Sequence, residues 1–337
     1  MRVVMRDDAT LKQIGQVITL IENKGYQPFV VKDDKVTTIC VPSIQDEKLF
    51  DEVMQIQGVK EALPFSKPYR LVSREFNASD TVIDVGDVPV GGKEIVLMAG
   101  PCAVESKEQL FTTAESVKKA GAKILRGGAF KPRTSPYSFQ GLKEEGLKLL
   151  REAGREFDLK IVTEIVSPGD VELIAGYADI LQVGARNMQN FSLLEQLGKI
   201  AKPVLLKRGM MCTIEEMLMS AEYIAAGGNP NVILCERGIR TFERHMRNTL
   251  DISAVPALKE LSHLPIIVDP SHASGNDRYV PALALAGIAA GADGLIIEVH
   301  SCREEALCDG KQSLEPETFA ALVEQLKRVA AAVNRKL

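Results

Sequence analysis

The chain has 337 residues, of which 45% are hydrophobic and 26% are charged, so it holds enough apolar material for one large or two ordinary domains. The formal net charge of -4 argues against a nucleic-acid binder and against a protein that coats a membrane surface. Local clusters of positive charge therefore point to a small anionic ligand.

The first residues of the chain show no signal-peptide pattern, and no apolar stretch is long enough to span a bilayer. The cysteines are scattered without a paired framework, at Cys40, Cys102, Cys212, Cys235, Cys302 and Cys308. We therefore expect a cytoplasmic protein, in which a cysteine is more often a ligand or a core residue than half of a disulfide.

Residues 1–64 alternate between strand-like and helix-like segments. Strands are predicted over residues 2–5, 27–31, 35–41 and 59–63, with a turn at Asp33 and Asp34. Helices are predicted over 10–24, between the N-cap Thr10 and Gly25, and over 46–55. This order is typical of a small ferredoxin-like (βαββαβ) domain. It holds no cluster of catalytic residue types, so we expect a regulatory or assembly domain, with a structural appendage as the alternative.

Residues 65–78 show no clear period and are predicted to be a linker, and the domain that follows spans residues 79–337. A hairpin over 81–90 would close one end of it. Eight apolar strands are then predicted, at residues 95–99, 122–125, 160–163, 179–183, 203–206, 232–234, 265–268 and 294–297.

Helical segments alternate with these strands, at residues 106–120, 142–156, 214–226, 280–290 and 316–334. Ser106 and Gln109 predict a capping box at the first of them. Buried parallel strands that each lead into a helical crossover indicate an α/β protein with a (β/α)8 TIM barrel. An open doubly wound sheet is the rival, but no Gly-rich dinucleotide fingerprint follows the first strand.

The loop 126–137 carries three cations and two hydroxyls, and its prolines restrict the backbone. Gly127 and Gly128 allow the backbone to approach a ligand closely. The side chains concerned are those of Arg126, Lys131, Arg133, Thr134 and Ser135. This composition is typical of a phosphate or carboxylate site, with a solvated basic loop as the alternative.

The active site of such a barrel lies at the carboxyl ends of its strands. The ends of strands two to six supply mainly cations, namely Arg126, Lys131, Arg133, Arg186, Lys207 and Arg237. Cations this close together repel one another unless an anion lies between them, so they predict a multiply charged substrate. Glu164 is a carboxylate among them, and it could balance charge or orient a water molecule.

A second set follows strands seven, eight and one, which become neighbours when the barrel closes. Its members are Cys102, His272, Glu298 and Asp309. A thiolate, an imidazole and two carboxylates are the ligand types of a divalent transition metal. Other residues remain open as the imidazole or the thiolate, namely His245, His300, Cys302 and Cys308.

Six short motifs follow the strands in order: Gly-Pro-Cys from Gly100, Lys-Pro-Arg-Thr from Lys131, Gly-Ala-Arg-Asn from Gly184, Leu-Lys-Arg-Gly from Leu206, Cys-Glu-Arg-Gly from Cys235 and Asp-Pro-Ser-His from Asp269. Together they resemble the type I beta group of 3-deoxy-D-arabino-heptulosonate 7-phosphate (DAHP) synthases. The resemblance covers the whole barrel, and the N-terminal domain resembles the ACT-like regulatory extension of that group.

The resemblance implies a transferase that condenses phosphoenolpyruvate with erythrose 4-phosphate and water and releases phosphate. This reaction opens the shikimate pathway to chorismate and the aromatic amino acids. One divalent ion (Mn, Fe, Co or Zn) would be bound by the set Cys102, His272, Glu298 and Asp309. Two of these ligands, Cys102 and His272, would also count as catalytic residues.

The resemblance also assigns the substrates to residues. Phosphoenolpyruvate would be held by Arg126, Lys131, Arg186, Lys207, Arg237 and the amide of Ala185. The sugar phosphate would be held by Arg133, Thr134 and Ser135. Lys131 and Glu164 would orient the attacking water and act as catalytic residues.

The nearest alternative is 3-deoxy-D-manno-octulosonate 8-phosphate synthase, which uses arabinose 5-phosphate. That family has Lys-Ala-Asn-Arg-Ser where this chain has Lys-Pro-Arg-Thr-Ser, and it usually lacks the N-terminal domain. An inactive barrel that senses amino acids is an alternative of another class. The resemblance further implies a homotetramer and an aromatic effector at the N-terminal domain, phenylalanine rather than tyrosine because residues 27–31 are mainly apolar.

Overall fold

The computed structural model describes residues 1–32, 36–44, 46–133 and 135–337. These residues form two compact units. The first contains Met1–Ser79 and the short segment Leu261–His263, and the second contains Asp80–Glu260 and Leu264–Leu337. The proposed division into a domain, a linker and a barrel at residues 64 and 79 stays a prediction.

The first unit contains a four-stranded antiparallel sheet with two helices. Its strands are β1 (Arg2–Met5), β2 (Phe29–Lys32), β3 (Thr37–Cys40) and β4 (Val59–Leu63), in the order β2-β3-β1-β4. The helices are α1 (Leu11–Asn23) and α2 (Lys48–Met54). This arrangement confirms the predicted ferredoxin-like order. The predicted turn at Asp33 and Asp34 lies outside the described residues.

The helix α1 shows why the sequence pattern was informative. The Thr10 hydroxyl accepts a hydrogen bond from the Gln13 amide at 3.3 Å, and the Gln13 side chain accepts one from the Thr10 amide at 2.8 Å. This capping box satisfies two amides that have no partner inside the helix. Val17 and Ile21 are fully buried against the sheet residues Val3 and Ile39, in one apolar core.

The second unit contains the predicted closed barrel of eight parallel strands. They are β7 (Val96–Gly100), β8 (Ile124–Arg126), β9 (Lys160–Ile165), β10 (Ile180–Val183), β11 (Val204–Lys207), β12 (Val232–Glu236), β13 (Ile266–Val268) and β14 (Gly294–Glu298). The barrel closes where β14 pairs with β7, with Glu298 opposite Gly100. The closure confirms the TIM barrel and excludes the open sheet.

Helices connect these strands. They are α3 (Lys107–Lys119), α4 (Glu144–Glu156), α5 (Val171–Tyr177), α6 (Phe191–Gly198), α7 (Ile214–Ala226), α8 (Ala254–Leu261), α9 (Pro270–Ser274), α10 (Val280–Ala289) and α11 (Pro316–Ala332). Within the described ranges, no helix is both long and apolar enough to cross a membrane. The capping box predicted for α3 is incomplete, because the Gln109 side chain accepts from the Glu105 amide and not from that of Ser106.

A short hairpin closes the amino-terminal end of the barrel. Its strands are β5 (Ile83–Val85) and β6 (Val88–Val90), and their inward side chains are buried. They belong to one apolar cluster with Val96, Ile124 and Ile180, the first residues of three barrel strands. Since this end is filled by side chains, the carboxyl ends of the strands are left for a binding site.

Candidate active site

A polar cavity of about 270 Å³ lies at the carboxyl ends of the barrel strands. Most of the residues predicted for the site line it, namely Lys131, Arg133, Ser135, Glu164, Ala185, Arg186, Lys207, Arg237, His272 and Asp309. Cys102, Arg126 and Glu298 are buried and contact residues of this set. Thr134 lies outside the described residues.

The four predicted metal ligands fall into two donor groups that share Asp309, one with Cys102 and Cys308 and the other with His272 and Glu298. The Asp309 Oδ2 atom is 3.6 Å from Cys102 Sγ, and the Asp309 carboxylate lies within 4.8 Å of donor atoms of both His272 and Glu298. The His272 Nε2 atom is 3.4 Å from Glu298 Oε1. A thiol, an imidazole and two carboxylates at these separations fit a borderline divalent ion such as zinc, iron or cobalt.

The backbone brings these donors to one place. Glu298 is the last residue of β14, and His272 lies in the short helix α9 that follows β13. Gly100 ends β7 with φ of 152°, and a Cβ atom there would lie 2.2 Å from the Arg126 carbonyl oxygen. Only glycine therefore permits this approach of the chain that leads to Cys102.

Asp269 fixes the orientation of His272. Its Oδ2 atom is 2.7 Å from His272 Nδ1, and its Oδ1 atom accepts a hydrogen bond from the His272 amide at 2.9 Å. Lys207 Nζ also donates to Asp269, at 2.5 Å. Burial opposes ionisation of this carboxyl, but His272 and Lys207 outweigh it and hold the pKa of Asp269 well below its usual range. The proton of the neutral imidazole thus belongs on Nδ1, which leaves the Nε2 lone pair free for a cation.

Glu298 is held as a carboxylate. Arg126 Nη1 donates to its Oε1 at 2.6 Å, and Gln312 Nε2 donates to its Oε2 at 2.7 Å. Burial alone would raise its pKa, but His272 and Arg126 lower the pKa of Glu298 to about 2. Arg126 is thus bound to a predicted metal ligand, and its predicted contact with phosphoenolpyruvate stays a prediction.

The cations of the cavity differ in how they are paired. Lys131 Nζ lies 3.1 Å from Cys102 Sγ and 3.1 Å from the Cys102 carbonyl oxygen. Arg237 is 4% exposed, and burial lowers its pKa, although Asp269 partly compensates. A buried guanidinium that burial penalises is suited to an anionic ligand, because such a ligand restores the lost solvation. Arg186 follows β10 in a 3-10 turn and is exposed at the cavity.

Glu164 enters the cavity through space that Gly184 leaves. A Cβ atom at position 184 would lie 2.0 Å from Glu164 Oε1. Glu164 and Gln182 are paired in register on β9 and β10, and both line the cavity. The glycine therefore sets where this carboxylate lies among the cations, as required of a group that orients water.

The alternative imidazoles and thiols differ in position. His245 is exposed and lies 2.9 Å from the Tyr279 hydroxyl, and His300 lies 3.5 Å from Glu105. In the described part of the chain, neither belongs to a donor group. Cys302 is exposed, whereas Cys308 lies 3.2 Å from Cys102, sulfur to sulfur.

Among the residues that sequence reasoning missed, three contact predicted metal ligands. Asp269 was noted only as part of a motif, although a carboxylate at the end of a strand and beside His272 was a usable signal. Arg247 lines the cavity, with Nη1 3.5 Å from Asp309 Oδ2. Gln312 bonds Glu298. Arg247 and Gln312 lie in loops whose path the sequence does not reveal.

Comparisons with known proteins show which proteins this chain is similar to. The model of the DAHP synthetase I family matches residues 76–334. A curated relative, the phospho-2-dehydro-3-deoxyheptonate aldolase of Thermotoga maritima, is 50% identical over 100% of both chains. A 2-dehydro-3-deoxyphosphooctonate aldolase of Syntrophobacter fumaroxidans is 32% identical over 70% of this chain and 88% of its own.

Two solved structures are similar as well. The crystal structure of the Thermotoga maritima DAHP synthase has a TM-score of 0.79 at 50% identity, and the match covers 99% of this chain and 98% of that one. A truncated form of 3-deoxy-D-arabino-heptulosonate 7-phosphate synthase from the same organism has a TM-score of 0.75 at 53% identity. That match covers 80% of this chain and 98% of the truncated one.

Proposed function

This chain belongs to the DAHP synthetase I family and is therefore an enzyme, and we propose that it condenses phosphoenolpyruvate with erythrose 4-phosphate and water to give DAHP and phosphate. The observation that carries the proposal is the meeting of a cationic cavity and a metal donor set, joined by the 3.1 Å contact between Lys131 Nζ and Cys102 Sγ. The cationic cavity suits two phosphorylated substrates, and a metal ion held by the donor set suits an aldehyde oxygen.

We propose that one divalent ion is held by Cys102, His272, Glu298 and Asp309. Two observations support this set: Asp309 is shared by a donor group that contains Cys102 and by a second that contains His272 and Glu298, and Asp269 orients His272. When bound, such an ion supplies Lewis-acid polarisation of the aldehyde oxygen. Mn, Fe, Co and Zn all suit the donors, and their availability decides between them.

Phosphoenolpyruvate is assigned to the part of the cavity where the cations are buried. Lys207 and Arg237 are each 4% exposed, so they would bind its anionic groups in a site from which water is largely excluded. Lys131 approaches from the side of Cys102, and Arg186 and the Ala185 amide approach from the turn after β10. The role of Arg126 would then be to hold Glu298 as a carboxylate beside this substrate.

Erythrose 4-phosphate is assigned to the loop that follows β8. Arg133 and Ser135 line the cavity there and would hold the sugar phosphate, together with Thr134. The aldehyde end would then point toward the donor set. Fixing both substrates in one orientation accounts for much of the rate that we expect, because it replaces a bimolecular encounter with a positioned one.

The remaining steps are assigned to Glu164 and Lys131. The methylene carbon of phosphoenolpyruvate attacks the aldehyde carbon, and positive charge develops at the enol carbon. Water adds to that carbon, and the Glu164 carboxylate accepts one of its protons for transfer to the alkoxide formed from the aldehyde oxygen. The added hydroxyl then becomes a carbonyl, and phosphate leaves with the second proton as its bond to the same carbon breaks. Lys131 is suited to orienting this water: burial opposes its charge, but the Cys102 and Cys308 sulfurs and Glu164 raise its pKa above the usual value.

The second candidate is the octulosonate phosphate synthase that uses arabinose 5-phosphate. The relative from Syntrophobacter fumaroxidans is 32% identical, against 50% for the Thermotoga maritima relative. The Lys-Pro-Arg-Thr-Ser motif from Lys131 also favours erythrose 4-phosphate. Membership of an enzyme family argues against the inactive sensor.

We also propose that the N-terminal domain binds an aromatic amino acid that inhibits the enzyme, and that the chain forms a homotetramer. The strand β2 presents apolar side chains, of which Val30 is 44% exposed. An apolar strand suits phenylalanine better than tyrosine, whose hydroxyl needs a hydrogen-bond partner when it is buried.

The direct test of the site replaces two of its ligands one at a time. Cys102→Ala and His272→Ala should each abolish turnover and bind no stoichiometric metal, while the circular dichroism spectrum stays that of the native protein. Full activity in either variant would refute the proposed site.

A further inference from the structure

Cys308 is a second thiol at the edge of the proposed metal site. It is 5% exposed, it precedes Asp309, and it lines the cavity. Its sulfur is 3.2 Å from Cys102 Sγ, and the donor atoms of Cys102, Cys308 and Asp309 all lie within 4.8 Å of one another. We infer that Cys308 is a further ligand of the metal ion, so that the site offers two thiolates and favours thiophilic ions such as zinc over manganese. This inference rests on the proposed function.

The separation of the two sulfurs is close to what a shared ion requires. Zinc binds thiolates at about 2.3 Å, so two sulfurs on one ion lie about 3.3 to 3.8 Å apart when the angle between the two bonds is about 90° to 109°. Cys102 and Cys308 therefore need to separate by at most about half an ångström from the observed 3.2 Å. The Cys308 loop can supply this movement without disturbing a barrel strand, because residues 299–315 lie outside regular strands.

Two cations face the sulfurs and would offset the added negative charge. Lys131 Nζ is 3.1 Å from Cys102 Sγ, and Arg133 Nη1 is 2.8 Å from Cys308 Sγ. A divalent ion with two thiolates and two carboxylates carries a net negative charge, which is costly in a buried site unless cations lie beside it. Lys131 supplies such a cation beside Cys102, and Arg133 supplies one beside Cys308.

The second thiolate has a consequence for metal choice. Soft thiolate ligands select zinc over manganese, which favours oxygen ligands. Replacing Cys308 by serine would leave one thiolate, one imidazole and two carboxylates. We therefore expect Cys308→Ser to lower the affinity for zinc relative to manganese by about tenfold or more.

Cobalt substitution counts the thiolates directly. The reduced, metal-free, full-length protein is titrated with Co²⁺, and the thiolate-to-cobalt charge-transfer absorption per bound ion is measured. We expect Cys308→Ser to lose about half of this absorption, while Cys302→Ser, on the exposed part of the same loop, keeps all of it. Unchanged absorption in Cys308→Ser would overturn the inference.

A second measurement uses the native protein and therefore does not depend on whether a variant folds. X-ray absorption of the zinc-loaded native protein should show two sulfur neighbours at the metal, and a single sulfur would again contradict the inference. That single-sulfur result would leave the proposed function standing. A native protein that binds no cobalt would instead remove both the further ligand and the proposed metal site.

Discussion

Asp269 holds His272 at two points, through the ring Nδ1 atom at 2.7 Å and the backbone amide at 2.9 Å. Asp269 directly follows β13, and His272 lies in the short helix α9 that comes next. The end of the strand and the helix together therefore fix the position of the imidazole. This contact prepares His272 for its proposed role as a metal ligand, because it sets both the tautomer and the angle of the ring.

Asp269→Asn should weaken metal binding although it removes no proposed ligand. The neutral amide loses the charge that favours the proton on Nδ1, and it leaves Lys207 without its carboxylate. We expect the metal dissociation constant to rise by about 10- to 100-fold, measured by competition with a chromophoric chelator. Asp84→Asn, on the exposed part of the hairpin, is the control; an equal affinity in both variants would contradict the role of Asp269.

Glu298 should make the free energy of unfolding of the metal-free protein depend on pH in the acidic range. Its folded pKa of about 2 lies below its ordinary 4.5, so its contribution is present above pH 4.5 and is lost as the pH falls toward 2. Between about pH 5 and about pH 3 this loss is about 2 kcal/mol. Urea unfolding should show that the free energy of unfolding falls by this much more in the protein with Glu298 than in Glu298→Gln over the same pH interval. An equal fall in both proteins would show that Glu298 is not held as a carboxylate.

Gly184→Ala should reduce turnover by displacing Glu164. The added methyl group would lie 2.0 Å from the Glu164 carboxylate, which therefore has to move out of its place among the cations. We expect kcat to fall by about 100-fold or more, in line with the loss of a positioned proton acceptor. Gly176→Ala is a matched control, because its methyl group would meet nothing within 4 Å. Comparable kcat values for the two variants would exclude this role for Gly184.

Removal of residues 1–64 should leave an enzyme that phenylalanine no longer inhibits, since the proposed effector site is lost while the barrel and its cavity remain. A truncated relative has been solved that matches 80% of this chain, which makes the experiment practicable. Initial rates with and without phenylalanine or tyrosine measure the effect in both forms. Inhibition that persists in the truncated form would place the effector site elsewhere.

The strand ends were predictable because buried parallel strands are continuous apolar runs that stop at a polar residue. Cys102, Glu164, His272 and Glu298 could all be found in this way. The contact between Arg126 and Glu298 was not foreseen, although closure of the barrel puts only β7 between their strands. Sequence order identifies neighbouring strands, but it does not say which side chains pair.

Loops and helix starts were predicted less well. The helix α4 begins at Glu144 and not at residue 142, because Lys143 has φ of 55°, outside the helical region. The strand β2 begins at Phe29 and not at residue 27, since Phe29 pairs with Cys40, the last residue of β3. Cys308 stayed one of several candidate thiols, because the path of its loop is set by contacts such as that between the Leu307 amide and Glu105, at 3.0 Å.

Phosphate release from phosphoenolpyruvate, measured with each of the two sugar phosphates, tests the proposed reaction most directly. We expect rapid release with erythrose 4-phosphate and little with arabinose 5-phosphate. Treatment with a chelator should abolish the activity, and added divalent metal should restore it. Equal or faster release with arabinose 5-phosphate, or a rate that the chelator leaves unchanged, would contradict the proposed reaction.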